Sequence, residues 1–281
     1  MGNGISGATR LLALMADPVV QARSPAMANA ALARRGRYGE FVLLPMQVPA
    51  GAFEDAIAGL RRIANFGGAI VSMPHKTTAA SIVDDLMPEA CLVGAVNVIR
   101  REDDGRLVGT ILDGEGFVSG LLHAGHAVTG KSFLLAGAGG AASAVAVSLA
   151  RHACGSLHLV NRTAASAEQL AAKVAGAFPH VKVTTGPAFA DDYDVAVNGT
   201  SVGMKDGDGL PLPADVVRSC KVVAECVISP ERTPLLEFAE NQGCKVHTGV
   251  AMLAEQMELM LDFMGVPRGA KAATPPDAAA R

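Results

Sequence analysis

The sequence predicts an α/β protein in two units, and three observations carry that prediction. Short apolar runs alternate with amphipathic stretches almost from end to end, the pattern of helices layered on parallel sheets. One such run ends at Gly137 in a glycine turn that passes straight into a helix of small residues. The 281 residues, 50% of them apolar, supply more than one modest core needs.

In the first half the expected strands are RLLALMA (10–16), FVLLPM (41–46), GAIVSM (68–73), AVNVI (95–99) and RLVGTIL (106–112), each an apolar run bounded by polar or glycine-containing chain. Between them a helix opens at Ser24-Pro25, read as an N-cap followed by a first-turn proline. Another spans about 51–63, with Phe53, Ile57, Leu60 and Ile63 on one face. A connecting helix near 115–124 leads into a tighter rhythm of strands: SFLLAG (132–137), SLHLVN (156–161), VKVTT (181–185), DVAVNGT (194–200), KVVAECV (221–227) and CKVHT (244–248). A Met- and Leu-rich helix over 250–264 ends the pattern. The chain after it is small, polar and proline-containing, and is expected to stay mobile.

Composition excludes several partners. A formal net charge of −3 lacks the basic excess that gripping nucleic acid requires. Cys91, Cys154, Cys220, Cys226 and Cys244 are odd in number and never spaced as CxxC, so they read as reduced thiols of a cytoplasmic protein, with no disulfide framework and no metal site. No run approaches the ~18 apolar residues of a membrane span, and no signal peptide is evident. MGNGIS matches the pattern for myristoylation at Gly2, and is read as a leader of small residues.

The glycine turn is G-x-G-x-x-A over Gly137, Ala138, Gly139, Gly140, Ala141 and Ala142. Its glycines allow a tight turn and let a pyrophosphate approach the helix N-terminus, where free N–H groups and the helix dipole favour an anion. With a strand before it, a helix after it and a second strand ending in Asn161-Arg162-Thr163, the turn predicts a Rossmann unit that binds NAD or NADP. Arg162 stands where an acidic residue would hold a ribose 2′-hydroxyl, which tilts the reading toward a 2′-phosphate.

Oxidising an alcohol also requires a base within about 3 Å of its hydroxyl. Lys76, in SMPHKTT, follows a buried strand at the edge where open α/β sheets bind ligands, and Asp113 closes another strand at the same edge. On extended chain His75 would point away from the site that Lys76 faces. His123 and His152 fall in helical stretches without partners at ligand spacing.

The motifs RSPAMANAAL, PHK, GAVN, LDGEGF, GAGGAA, NRT, NGTSVGM, SPERTPLL and GVAMLAEQ, in this order over residues 11–265, resemble the shikimate/quinate dehydrogenase family. The resemblance implies an N-terminal α/β substrate domain (1–112 with 249–281), a Rossmann domain (113–248) and a C-terminal helix that returns to the first domain. It implies NAD(P)-dependent, reversible oxidation of a ring hydroxyl, with Lys76 and Asp113 as the catalytic pair. Ser24, Ser72, Asn97, Gln256 and Ile228 would line the substrate, and Asn198, Thr200 and Gly249 would join the glycine turn and Asn161, Arg162 and Thr163 at the cofactor. The expected partner is a small hydroxylated molecule, bound by a monomer or homodimer.

The chain departs from the family pattern at Ala22, Ile70, Val98 and Ile228, where serine, asparagine, threonine and tyrosine are expected. Four polar groups lost from a ligand-facing wall would cost roughly 4 to 12 kcal/mol at about 1 to 3 each, enough to weaken shikimate recognition by roughly a thousandfold. A substrate less polar at one end than shikimate is therefore expected. Arg23 could restore the grip on a carboxylate, which keeps authentic shikimate or quinate dehydrogenase as the alternative; a nucleotide sensor without catalysis is the third reading.

Overall fold

The computed structural model describes residues 4–190 and 192–268; Gly2 and the segment after Arg268 lie outside them. The alternating pattern becomes two six-stranded sheets with helices on both faces. The first is assembled from β1 (Arg10–Ala16), β2 (Phe41–Gln47), β3 (Phe66–Val71), β4 (Asp85–Leu86), β5 (Val98–Arg101) and β6 (Leu107–Thr110), in the order β2-β1-β3-β5-β6-β4. β1 is buried along most of its length because both faces are covered. One face carries α1 (Ser24–Arg34), whose Ala28, Ala31 and Leu32 pack with Leu12, Leu14 and Leu43. On the other lies α2 (Phe53–Arg61), packing Phe53, Ile57 and Leu60 with Phe66 and Val71.

This sheet is mixed where parallel sheets were expected: β5 runs antiparallel to both β3 and β6. A tight turn between β5 and β6 reverses the chain, with Glu102 N donating to Arg106 O and Gly105 at φ +89°. Expected and observed elements differ elsewhere too. β3 begins two residues earlier than the apolar run suggested and stops at Val71, and β5 begins only at Val98. Ile63 lies beyond the end of α2 and is 40% exposed, so it is no part of the buried face.

The second sheet is parallel throughout: β7 (Ser132–Ala136), β8 (Ser156–Val160), β9 (Lys182–Thr185), β10 (Val195–Asn198), β11 (Val222–Glu225) and β12 (Lys245–His247), in the order β12-β11-β10-β7-β8-β9. Strand order reverses between β7 and β10, the switch point at which doubly wound sheets open a crevice. α6 (Gly140–Arg151), α7 (Ala164–Ala177), α8 (Ala214–Ser219) and α9 (Pro234–Asn241) cover the faces.

Two long helices tie the sheets together. α5 (Asp113–His123) leaves the first sheet and α10 (Gly249–Phe263) packs on α5 and returns to α1. α5 is squeezed from both sides: a side chain at Gly114 would fall 2.0 Å from the Ala144 carbonyl oxygen of α6, and one at Gly116 would fall 2.6 Å from Cβ of Gln256 in α10. Hydrogen at these two positions is what lets three helices meet beside Asp113. At the far side Arg35, with its side chain 6% exposed, meets Glu258 at 2.6 Å and Asp262 at 2.9 Å and donates to Val266 O, fastening α10 to the end of α1. Among the described residues no helix is long and apolar enough to cross a membrane.

Candidate active site

The C-terminal ends of β1, β3 and β6 bring Ser24, Ser72, Lys76 and Asp113 to one edge of the first sheet. Lys76 opens α3 (Lys76–Ile82), where extended chain was expected, and His75 occupies the N-cap in helical geometry. His75 still turns inward: it stacks on Phe53 with centroids 4.4 Å apart, and its Nε2 donates to Val48 O at 2.8 Å. It is 1% exposed, which removes it from any contact with a ligand. Asp113 likewise begins a helix, α5, and does not end β6; its carboxylate sits in the first turn, favoured by the helix dipole.

Lys76 Nζ donates to Asp113 Oδ2 at 2.5 Å. Asn97 Nδ2 donates to the other carboxylate oxygen at 2.8 Å and lies 3.3 Å from Gln256 Oε1. Asn97 Oδ1 in turn accepts the Leu112 N–H at 2.9 Å, so the backbone just before Asp113 is held by the same side chain. Asp113, Asn97 and Gln256 are all buried, whereas the Lys76 side chain keeps 21% of its surface open. The amine is thus the group of the four that faces outward.

Ser24 and Ser72 are half-buried, and neither hydroxyl has a hydrogen-bond partner among the described residues. Ser24 was expected to cap α1; instead Arg23 holds the cap position and no side chain caps the helix, which leaves the serine hydroxyl uncommitted. Arg23 itself is exposed. The apolar substitutions divide into two pairs. Ile70 and Val98, 4% and 0% exposed, are neighbours across β3 and β5 and pack with Leu12, Leu14, Met257 and Met260, so they belong to the core where a ligand-facing wall was expected. Ala22 and Ile228 remain half-buried. Two unfavourable positions instead of four lower the expected penalty for shikimate to roughly 2 to 6 kcal/mol, or roughly thirtyfold at the low end.

On the second sheet, β7 ends in the glycine turn. Gly137 has φ +112°, and a side chain there would come within 2.9 Å of the Gly199 carbonyl oxygen, so the turn and the chain after β10 touch backbone to backbone. Over Gly139 and Gly140 there is open space, with no atom within 4 Å of where a side chain would begin, and α6 starts with no side-chain cap. An uncapped helix N-terminus under open space fits a pyrophosphate. Ala138 and Ala141 flank it, half-buried. Beyond β8, Asn161 Nδ2 donates to Thr163 O, and the exposed Arg162 has no ion-pair partner among the described residues. Thr200 is half-buried, but Asn198 is 0% exposed with its amide spent on Val202 O, Thr200 and Glu225, so it shapes the loop from within. At Gly249 a side chain would start 2.3 Å from the Val227 carbonyl oxygen, and its absence lets the head of α10 close against the chain just beyond β11.

Two residues at the site were missed in the sequence. Glu225, fully buried, follows the apolar run Val222–Ala224 at the end of β11 as Asp113 follows the run ending at Leu112, and the same signal could have found it. Cys226 follows it; burial pushes its thiol well up, with Glu225 and Asp113 adding to the rise and Lys76 opposing it, so the thiol lies within electrostatic reach of the pair. His123 and His152, expected to have no partners at ligand spacing, each meet a single carboxylate: Nδ1 of His123 lies 2.8 Å from Glu255, and Nε2 of His152 lies 3.0 Å from Glu115. Among the described residues no group of three or more His, Cys, Asp or Glu is placed to hold a metal ion.

Comparison with known proteins gives this geometry a family. Residues 14–99 match the profile described as shikimate dehydrogenase substrate binding domain, and residues 122–204 match shikimate / quinate 5-dehydrogenase. A shikimate dehydrogenase (NADP(+)) of Rubrobacter xylanophilus is 37% identical over 266 residues, covering 93% of this chain and 90% of the relative. The crystal structure of shikimate 5-dehydrogenase from Listeria monocytogenes in complex with shikimate and NAD is 32% identical, with a TM-score of 0.84 and 96% of each chain covered. A ligand-free 5-ketofructose reductase of Gluconobacter sp. is 27% identical with a TM-score of 0.84, covering 94% of this chain and 96% of that one. The chain belongs to the shikimate dehydrogenase family of NAD(P)-dependent oxidoreductases.

Proposed function

We propose that this protein interconverts a ring hydroxyl and a ketone, using NADP or NAD, on a small cyclic substrate whose end remote from the reacting carbon is less polar than that of shikimate. The observation that carries the reading is the Lys76–Asp113 pair, 2.5 Å apart with the amine side open, at the same sheet edge as two uncommitted serine hydroxyls. The nicotinamide, when bound, supplies the acceptor or donor for the hydride. Lys76 takes the hydroxyl proton during oxidation as a neutral amine and returns it as ammonium during reduction. Asp113 orients that amine and balances its charge, and is itself fixed by Asn97. Gln256 and the hydroxyls of Ser24 and Ser72 bond the substrate's other oxygens, while Ile228 and Ala22 flank it without a donor.

The glycine turn from Gly137 to Ala141 holds the pyrophosphate, and the unpaired Arg162, beside Asn161 and Thr163, favours a 2′-phosphate. In this reading residues 1–112 and 249–281 form the substrate domain and 113–248 the nucleotide domain; the part after Arg268 is assigned by continuity alone. The five free thiols suit a reducing compartment, the cytoplasm, and the enzyme acts as a monomer or homodimer.

A second reading, authentic shikimate dehydrogenase, is favoured by the 37% identity to a relative of that name and by the retained Ser24, Ser72, Asn97 and Gln256. A panel of cyclic alcohols that includes shikimate and quinate, assayed with both nucleotides by the absorbance of reduced nicotinamide, separates the two. Faster turnover of a less acidic ring alcohol supports the first reading; shikimate as the best substrate establishes the second.

A further inference from the structure

Glu225 closes β11 with no exposed surface, and donors from three segments converge on its carboxylate. Asn198 Nδ2 reaches it from the end of β10 at 3.1 Å, Thr233 Oγ1 from the cap of α9 at 2.9 Å, and the Val227 N–H from the chain beyond the strand at 3.0 Å. Each partner shapes the cleft in turn. Asn198 Oδ1 accepts from the N–H of Thr200 at 2.9 Å and from its hydroxyl at 2.7 Å, and Asn198 Nδ2 also donates to Val202 O at 2.8 Å, so the loop 198–204 is wound around this one amide. That loop rests on the glycine turn through Gly199. The Val227 bond sets the segment 226–228, which carries Cys226, within electrostatic reach of the Lys76–Asp113 pair, and the half-buried Ile228.

These partners are all donors to the carboxylate. An ionised carboxylate accepts all three; a protonated one brings its own O–H into the cluster and must displace a donor. We infer that Glu225, in its ionised form, is the positioning residue for the nucleotide side of the cleft, tying the loop 198–204 and the segment 226–228 into the shape that receives the nicotinamide end of the dinucleotide. The inference rests on the dehydrogenase reading above. Burial pushes the carboxyl up to about 7 against the pull of its hydrogen bonds, so its charge changes within the physiological range. The Cys226 thiol next to it in the chain feels its charge, and that of Asp113 and Lys76 as well.

Equilibrium binding of NADH, followed by its fluorescence in wild type, Glu225→Gln and Thr233→Val, tests this without requiring turnover. NADH is the probe because a phosphate monoester such as the 2′-phosphate of NADPH has its own second ionisation at about 6. If only the ionised form binds, a group titrating at about 7 makes wild-type binding about tenfold weaker at about pH 6 than at about pH 8. Glu225→Gln should bind at least about tenfold more weakly at the higher pH and show no acid limb. Thr233→Val, which withdraws one donor from the anion, should move the limb to higher pH, and it decides the matter if the glutamine variant does not fold. Wild-type affinity in Glu225→Gln, or a lowered Tm in either variant with the acid limb unmoved, overturns the inference. A wild type that binds NADH equally at both pH values overturns it too, whereas a wild type that binds no dinucleotide at all contradicts the dehydrogenase reading on which it stands.

Discussion

Lys76, Asn97, Asp113 and Gln256 hold one another through a connected set of hydrogen bonds, drawn from α3, the chain before β5, α5 and α10. By contrast Ala22, Ile70, Val98 and Ile228 bring no side-chain donor, and two of them, Ile70 and Val98, lie in the core of the first sheet. The first region depends on precise placement: one side chain contacts the next, and the helices that carry them approach closely because Gly114 and Gly116 have no side chains. The second depends on apolar packing, which tolerates exchange of residues of similar volume. The difference is between a network fixed side chain to side chain and an apolar set held by packing alone, and it predicts that exchanges in the second leave the first in place.

The comparison breaks most sharply at the pair. Asp113→Asn keeps the shape but removes the charge that holds the Lys76 amine, and kcat should fall by about a hundredfold to ten-thousandfold, the range of general acid–base catalysis, when measured by reduced-nicotinamide absorbance. Next is the frame behind it. His247, 4% exposed, lies against Gly120 of α5 and edge-on to Phe117, and its Nε2 has no hydrogen-bond partner among the described residues. Burial lowers it to about 4, so the folded protein holds it neutral while the unfolded chain protonates near 6.5. The contribution of the neutral residue is therefore complete above about 6.5 and is lost as pH falls from there toward 4, up to about 3 kcal/mol. Thermal unfolding across that interval should show the decline in wild type and a shallower one in His247→Phe.

A smaller effect is expected where α5 and α10 cross. A methyl group at Gly116 would meet Gln256 Cβ at 2.6 Å, and Gly116→Ala should cost about 1–3 kcal/mol by overpacking, read as a lower Tm, and should raise the KM for substrate as Gln256 shifts. At the apolar end, Ala22→Ser combined with Ile228→Tyr sharpens the contrast from the other side. Each restored hydrogen bond of about 1.4 kcal/mol would improve kcat/KM for shikimate about tenfold, with kcat on the preferred alcohol little changed.

Much of this was legible in the sequence, for physical reasons that also explain the rest. Strands such as β1 and β7 are largely buried apolar runs, and β8 alternates with Leu157 and Leu159 buried; all three were found nearly to the residue. Strand direction is not written in hydrophobicity, so the antiparallel β5 was missed, although Asp104-Gly105 between β5 and β6 is a hairpin signal that could have shown it. β4, just Asp85–Leu86, is too short for any period to reveal. Lys76 and Asp113 were placed at the correct edge, but on strand ends, because each apolar run stops there and the helix begins with no capping side chain to announce it. The mistaken orientation of Ile70 and Val98 has a different origin. Family likeness says which positions are expected to carry a polar group, not where an apolar residue standing there will turn, and Ile70 and Val98 turn into the core.

The claim that Lys76 moves the hydroxyl proton is tested most directly by single-turnover reduction of nicotinamide in wild type and Lys76→Ala, each saturated with the best alcohol from the panel, alongside nucleotide titrations of both. Hydride transfer reduced by at least about a hundredfold in the variant, with the nucleotide Kd unchanged, is the predicted result. Hydride transfer at the wild-type rate in Lys76→Ala would contradict it.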